Sequence, residues 1–272
     1  MYRSHWGLRD SPFRASLDPQ YFHNSPVHEE ALARLHFLVA DRRRLGLLLG
    51  GRGSGKSLLL QVFAGELRAA GSPVAVVSLV GLDQGSLLRE LASGLGLYVE
   101  RSESIACLWQ SLVDRISEYR YQQLPTVVLL DDADQAKAEA LTLAARLAQH
   151  DLAPDSRLTL VLAARPDEVG RLGRTLLELA ELRVDLTAWE PADTEAYLTA
   201  SLSRAGCARR VFEPSAVARL HELGQGIPRR IRHLADLSLL AGAGQNLARI
   251  DAPTVESVYD ELGVVRAAPE RE

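Results

Sequence analysis

The chain has 272 residues, of which 47% are apolar, and a formal net charge of −4. This length suits one α/β domain with a smaller appended domain, and the composition is that of a soluble globular protein with no sign of a surface that wraps nucleic acid. The two cysteines, Cys107 and Cys207, lack metal-ligand spacing, so we expect neither a disulfide framework nor a zinc site. No signal peptide or stretch long enough to span a bilayer is evident, and we expect a cytoplasmic protein without membrane insertion.

The first two-thirds of the chain alternates between strand and helix patterns. Residues 1 to about 27, rich in turn formers and aromatic residues, predict an extended segment, and a helix follows from about 28 to 43. Apolar runs predict five buried strands, at 47–49, 73–80, 126–130, 158–163 and 182–186. Helical periodicity follows these runs, near 56–63, 84–95, 104–122, 136–149 and 167–179. This alternation predicts a five-stranded parallel sheet covered by helices on both faces, and so the α/β class.

The pattern changes after Trp189. Four helical stretches follow without an intervening strand, at about 191–205, 213–223, 227–241 and 252–263. The predicted domains are an N-terminal segment and helix over 1–44, an α/β core over 45–188, a small all-helical domain over 189–265 and a frayed tail over 266–272.

A glycine-rich segment follows the first strand and fits the phosphate-binding pattern GxxxxGK[ST]. Its glycines let successive backbone N–H groups face an anion, and the helix that follows adds the positive end of its dipole. Lys56, one of only two lysines among 31 basic residues, is expected to contact the β- and γ-phosphates, and the Ser57 hydroxyl to bind magnesium. The sequence therefore predicts a Mg-ATP site, and the residues expected to contact the nucleotide are Gly50, Gly51, Arg52, Gly53, Ser54, Gly55, Lys56, Ser57 and Leu58.

Two adjacent carboxylates end the 126–130 strand. Asp131 is expected to hold magnesium opposite Ser57, and Asp132 to orient and deprotonate the attacking water. The alternative is a solvated acidic turn, and the presence of the phosphate-binding loop favours the catalytic interpretation.

Several segments together resemble the AAA+ superfamily, specifically ATPases of the ExeA type (general secretion pathway protein A) and the related TniB and MuB-like transposition regulators. The resemblance covers almost the whole chain. The Gly-Ile-Pro-Arg sequence of the C-terminal part, taken with the N-terminal signature, is far more selective than the phosphate-binding loop alone. The segments that carry it are Met1-Tyr2, Trp6-Gly7-Leu8, Ser11-Pro12-Phe13, Asp18-Pro19, Ser25 to Leu35, the two phosphate-site motifs, Leu160 to Asp167, Glu195 with Tyr197-Leu198, Ala205-Gly206, Phe212 and Gly226 to Ile231.

The resemblance assigns roles to arginines outside the loop. Pro228 and Arg229 match the segment whose arginine reaches from the helical lid onto the γ-phosphate, and Arg230 and Arg232 are competing candidates. Arg183 matches the arginine finger that such subunits insert into a neighbour's site, with Arg174 as the alternative. A finger that acts in trans implies a homo-oligomer. The N-terminal segment is expected to border the nucleotide, as in similar proteins.

Two positions depart from the family pattern. Asp132 stands where the family has glutamate, one methylene longer, and Ala164-Arg165 replaces a polar amide or hydroxyl. Slow hydrolysis, or a nucleotide-locked scaffold, is therefore one hypothesis. The leading hypothesis is an AAA+ ATPase that assembles or remodels an envelope complex of the secretion or pilus type through a partner protein. The alternative is an ATP-dependent DNA-binding regulator of transposition, against which the acidic balance of the chain weighs.

Overall fold

The computed structural model describes residues 2–100, 102–151, 153 and 156–266. Contacts divide the chain into a core unit, His28–Leu186, and a helical unit made of Met1–Val27 and Thr187–Glu272. This division differs from the predicted domains, because the 1–44 segment is split at residue 27 and its first part joins the C-terminal helices. The predicted tail lies outside the described residues apart from Arg266, which ends the last helix.

The core unit contains one five-stranded sheet in the order β2-β3-β4-β1-β5. All four strand pairs are parallel, as the alternation of strands and helices predicts. The strands are β1 (Leu45–Gly50), β2 (Val74–Ser78), β3 (Thr126–Asp131), β4 (Leu158–Ala164) and β5 (Leu182–Leu186). Because β1 and β3 both pair with β4, the carboxyl ends of the two motif-bearing strands flank the end of β4.

The strands are apolar because helices cover both faces of the sheet. Every residue of β1, β3 and β4 is buried, whereas β5 at the edge alternates, with Val184 and Leu186 buried and Arg183 and Asp185 exposed. Of the two edge strands, β2 and β5, only β5 carries charged residues, and both of them, Arg183 and Asp185, are exposed.

The helices of the core lie close to their predicted positions, with two differences. The helix predicted over 28–43 ends at Ala40, because the chain turns at Arg42, whose φ is +55°. The helix predicted over 167–179 is broken at Gly173 into a 3-10 segment, Pro166–Leu172, and a short α-helix. The bounds are α2 (Pro26–Ala40), α3 (Lys56–Ala69), α4 (Gln84–Gly94), α5 (Ile105–Tyr121), α6 (Ala138–Ala148) and α7 (Arg174–Leu179).

The helical unit contains the four predicted C-terminal helices and one short helix that was not predicted. That helix, α1 (Tyr2–Trp6), buries Trp6, whose indole Nε1 donates a 2.8 Å hydrogen bond to the carbonyl of Leu239. Phe13 is buried in the same apolar cluster, so the N-terminal aromatic residues pack against the C-terminal helices. These helices are α8 (Pro191–Arg204), α9 (Pro214–Gly224), α10 (Pro228–Gly244) and α11 (Ala252–Arg266). Among all the described helices, none combines the length and the apolar character needed to cross a bilayer.

Candidate functional site

The glycine-rich loop joins the end of β1 to the start of α3. Gly55, directly before α3, has a φ of +103°, which favours glycine over any residue with a side chain. At Gly50 a Cβ atom would lie 2.5 Å from Ser54 Oγ and 3.0 Å from Leu186 Cβ, so no side chain fits there. The conformation of the loop therefore requires glycine at positions 50 and 55.

Lys56 lies across this loop. Its Nζ donates hydrogen bonds of 2.6 Å and 3.2 Å to the carbonyls of Gly50 and Gly51. Burial lowers the pKa of this ammonium group, and the nearby carboxylates, Asp131 first among them, oppose that effect. The loop thus holds a partly buried cation against its own carbonyl oxygens, where an anionic ligand would be a stronger partner.

Asp131, the last residue of β3, is buried with 8% of its surface exposed. The pKa of its carboxyl group is raised, chiefly by burial and also by the charge of Asp132. Hydrogen bonds from the Ser57 side chain and the Asp132 N–H, together with the charge of Lys56, oppose this rise. The Asp132 N–H bond measures 2.9 Å. The structure therefore brings together the two residues predicted to hold magnesium, and it places Lys56 beside them.

Asp132 is held in one position by its backbone and by two neighbours. Its φ of +53° is left-handed, which is uncommon for a residue other than glycine and recurs at functional sites. Ser78 Oγ donates to Asp132 Oδ2 at 3.2 Å, and the Gln135 amide donates to Oδ1 at 3.4 Å. The carboxylate that departs from the family pattern is thus fixed beside the magnesium-binding candidate.

A partly buried ion pair lies at the end of β4, between the two motifs. Arg165 Nε donates a 2.7 Å hydrogen bond to Asp134, whose side chain is 2% exposed. This bond raises the pKa of Arg165. Sequence reasoning noted Arg165 but missed Asp134 as its partner, because a third acid in an acidic turn gives no signal of burial.

The donors around the loop fit a triphosphate with a divalent ion. Ser54 Oγ is buried and has no hydrogen-bond partner among the described residues, which is costly unless a ligand supplies one. Arg52 is exposed at the tip of the loop and Leu58 is partly buried in α3. Hydroxyl and carboxylate oxygens are the ligands that magnesium prefers when phosphate oxygens complete its coordination.

Comparison with known proteins agrees with this geometry. Residues 39–172 match the family model of the AAA domain.

This stretch, about half of the chain, is similar to AAA domains. Across almost the whole chain, the sequence is similar to general secretion pathway protein A of Aeromonas hydrophila, with 28% identity over 270 residues, which are 98% of this chain and 49% of that protein. The chain thus spans about half the length of this relative. The predicted resemblance to AAA+ proteins of the ExeA type is confirmed.

Solved structures match over nearly the whole chain. They are Cdc6p of Pyrobaculum aerophilum (TM-score 0.75, 18% identity, 96% of this chain and 74% of that one), Orc1 of Aeropyrum pernix in complex with DNA (0.67, 19%, 92% and 70%) and the Holliday junction branch migration motor RuvB of Thermotoga maritima (0.61, 16%, 92% and 73%). At this level of identity they show the fold alone, and they confirm the predicted P-loop α/β core followed by a helical region.

The two arginine-finger candidates lie on the exposed surface of the core unit. Arg183 is the second residue of β5 and donates to both carboxylate oxygens of Asp185, at 2.8–3.0 Å. Arg174 begins α7 with a side chain that is 91% exposed and pairs with Glu178 at 2.6 Å. Neither observation selects between them, so Arg183 stays a prediction from the resemblance.

The Gly-Ile-Pro-Arg segment lies in the helical unit, where Pro228 begins α10. At Gly226 φ is +65°, and a Cβ atom would lie 2.5 Å from the carbonyl oxygen of Trp189, so this glycine is required. Among the three arginine candidates, Arg230 bonds Gln225 and Arg232 bonds the carbonyl of Phe13, whereas Arg229 has no partner among the described residues. Arg229 is thus the one of the three without a partner in the described part of the chain, and its role stays a prediction from the resemblance.

The burial of the Asp131 carboxylate predicts an effect on the thermal stability of the protein. Because the folded-state pKa of Asp131 lies above 3.8, ionised Asp131 destabilises the fold at neutral pH, and the penalty is relieved as the pH falls through that raised pKa. We expect Asp131→Asn to raise the melting temperature at pH 7, by roughly 2–4 °C for each 1 kcal/mol relieved. Thermal denaturation without nucleotide or magnesium tests this, with Asp114→Asn, at an exposed site on α5, as the control. An unchanged or lower melting temperature for Asp131→Asn would contradict it.

Proposed function

We propose that this chain is a Mg-ATP-dependent AAA+ ATPase that couples ATP binding and hydrolysis to the assembly or remodelling of an envelope complex of the secretion or pilus type. The convergence of Lys56, Ser57 and Asp131 on the loop that follows β1 carries the proposal. Loop N–H groups and the Lys56 ammonium hold the phosphates, and the Ser57 hydroxyl and Asp131 carboxylate hold magnesium. Magnesium bound there would neutralise charge on the phosphates. Asp132 orients the attacking water and accepts its proton.

The direct test uses the purified chain with a fluorescent ATP analogue and a phosphate-release assay. We expect binding that requires magnesium and is abolished by a chelator, together with phosphate release above background. Failure to bind at millimolar magnesium would overturn the nucleotide proposal. Tight binding without release would leave a nucleotide-switched scaffold and remove the hydrolytic step.

The envelope role draws on the similarity to general secretion pathway protein A, which covers 49% of that relative. It predicts that a strain lacking this chain loses secretion or pilus assembly, and that the wild-type chain restores the function while a Lys56→Ala chain does not. Co-sedimentation with duplex DNA tests the alternative. Binding that weakens steeply with salt would replace the envelope role with a DNA-binding role and leave the ATPase proposal intact.

If the chain forms a homo-oligomer in which Arg183 acts on the site of a neighbouring subunit, two inactive variants should restore activity when they are mixed. Arg183→Ala protein keeps its own site but lacks the proposed finger, and Asp132→Asn protein has the finger but lacks the base. If Arg183 acts on a neighbouring subunit, each variant alone is nearly inactive and an equimolar mixture regains roughly a quarter to a half of wild-type activity, because only mixed neighbours pair an intact site with an intact finger. The same mixture made with Arg174→Ala is the matched comparison. Recovery there, with full activity of Arg183→Ala alone, would transfer the role to Arg174.

A further inference from the structure

A buried histidine contacts the phosphate-binding loop from outside the GxxxxGK[ST] motif. His28 lies in the first turn of α2 with 3% of its surface exposed. Its Nε2 donates a 3.0 Å hydrogen bond to the carbonyl oxygen of Ser54, so the ring carries its proton on Nε2. A Cβ atom on Gly55 would lie 2.7 Å from the same nitrogen, which shows that the ring packs directly against the loop.

This contact fixes the direction of one peptide group. In a trans peptide the C=O and N–H bonds lie in one plane and point in opposite directions. The hydrogen bond that draws the Ser54 carbonyl toward His28 therefore directs the Gly55 N–H away from the imidazole. That N–H makes no hydrogen bond to any residue that the structure describes. It belongs to the glycine whose φ of +103° shapes the last turn of the loop before Lys56.

We infer that His28 is a positioning residue for phosphate binding, because its hydrogen bond to Ser54 holds the Gly55 N–H toward the phosphates. The inference rests on the proposed ATP binding. A donor held in place before the ligand arrives adds affinity, since little conformational entropy is lost on binding. Without the bond to His28, the peptide group between Ser54 and Gly55 could rotate and reverse the directions of its carbonyl and its N–H. Glycine at position 55 gives little resistance to such a rotation.

The test compares two substitutions that differ in the hydrogen-bond donor. His28→Leu fills part of the space without a donor, and His28→Gln places an amide N–H near the position of Nε2. We expect His28→Leu to weaken binding of the fluorescent ATP analogue with magnesium by about tenfold and His28→Gln to stay within about threefold of wild type. His36→Gln, at an exposed site on the same helix, is the matched control and should bind like wild type.

The outcomes separate this inference from the proposed function. If the wild-type protein binds and His28→Leu binds equally well, the positioning role is overturned and the ATPase proposal stands. A loss of affinity that is as large in His28→Gln as in His28→Leu would also overturn it, because packing rather than donation would then explain the effect. Should His28→Leu fail to fold, His28→Asn, whose amide is too short to reach Ser54, replaces it with the same expected loss. Absence of binding by the wild type itself would remove the proposed function and this inference together.

Discussion

Lys56→Ala is expected to weaken Mg-ATP binding by about 100-fold and to lower the rate of phosphate release on the order of 1,000-fold. The ammonium group already lies across the loop, with its carbonyl contacts at 2.6 Å and 3.2 Å, so its removal leaves the proposed β- and γ-phosphate site without its nearest cation. Equilibrium titration with the fluorescent ATP analogue measures the first effect, and single-turnover phosphate release measures the second.

The chain offers a matched control, because it contains only one other lysine. Lys137 is exposed just before α6, and Lys137→Ala should bind and hydrolyse ATP like the wild type. Equal phosphate release by Lys56→Ala and the wild type would show that the measured activity comes from a contaminant or from a site elsewhere.

Asp132→Asn is expected to lower the turnover rate by about 100- to 10,000-fold while ATP affinity stays within about threefold. The substitution keeps the size of the side chain and its contacts with Ser78 and Gln135, but it removes the group that accepts a proton from water. Steady-state kinetics gives the turnover rate, and nucleotide titration gives the affinity. Parallel losses in both would instead assign Asp132 to nucleotide binding.

A second substitution at this position tests the shorter side chain. Asp132→Glu restores the length that the family pattern has at this position. Turnover above that of the wild type would show that the missing methylene limits hydrolysis, and this result would support the slow-turnover hypothesis. Turnover well below the wild type would show that the contacts with Ser78 and Gln135 already set the correct geometry for aspartate.

The elements that could be predicted are those whose own residues determine their conformation. Buried parallel strands require continuous apolar runs, so β3 and β4 were recognisable, and the loop before Lys56 follows from its glycines and its place between a strand and a helix. The break at Gly173 was not recognised, because a single glycine is compatible with a continuous helical pattern. The helix at Tyr2–Trp6 was also missed, since it is held by a distant partner at Leu239 rather than by local periodicity.

The candidate site was predictable to the extent that its residues belong to motifs. Lys56, Ser57 and Asp131 lie in two short patterns, and the parallel sheet brings those patterns together. The contacts of His28 with Ser54 and of Arg165 with Asp134 join residues 26 and 31 positions apart in the sequence, and no spacing rule connects them. Such partners depend on the register of the whole sheet and on helix packing, so they emerge only from the three-dimensional arrangement.

The edge strand β5 has a consequence for how copies of the chain can associate. β5 is only five residues long, and its exposed face carries Arg183 and Asp185, which neutralise each other. A short, charged border discourages the addition of a foreign strand through main-chain hydrogen bonds, which is a common route to fibrous aggregates. Replacing Arg183 with a large apolar residue would strip this protection, so alanine is the safer choice for probing that position, and light scattering should accompany every assay of the variant.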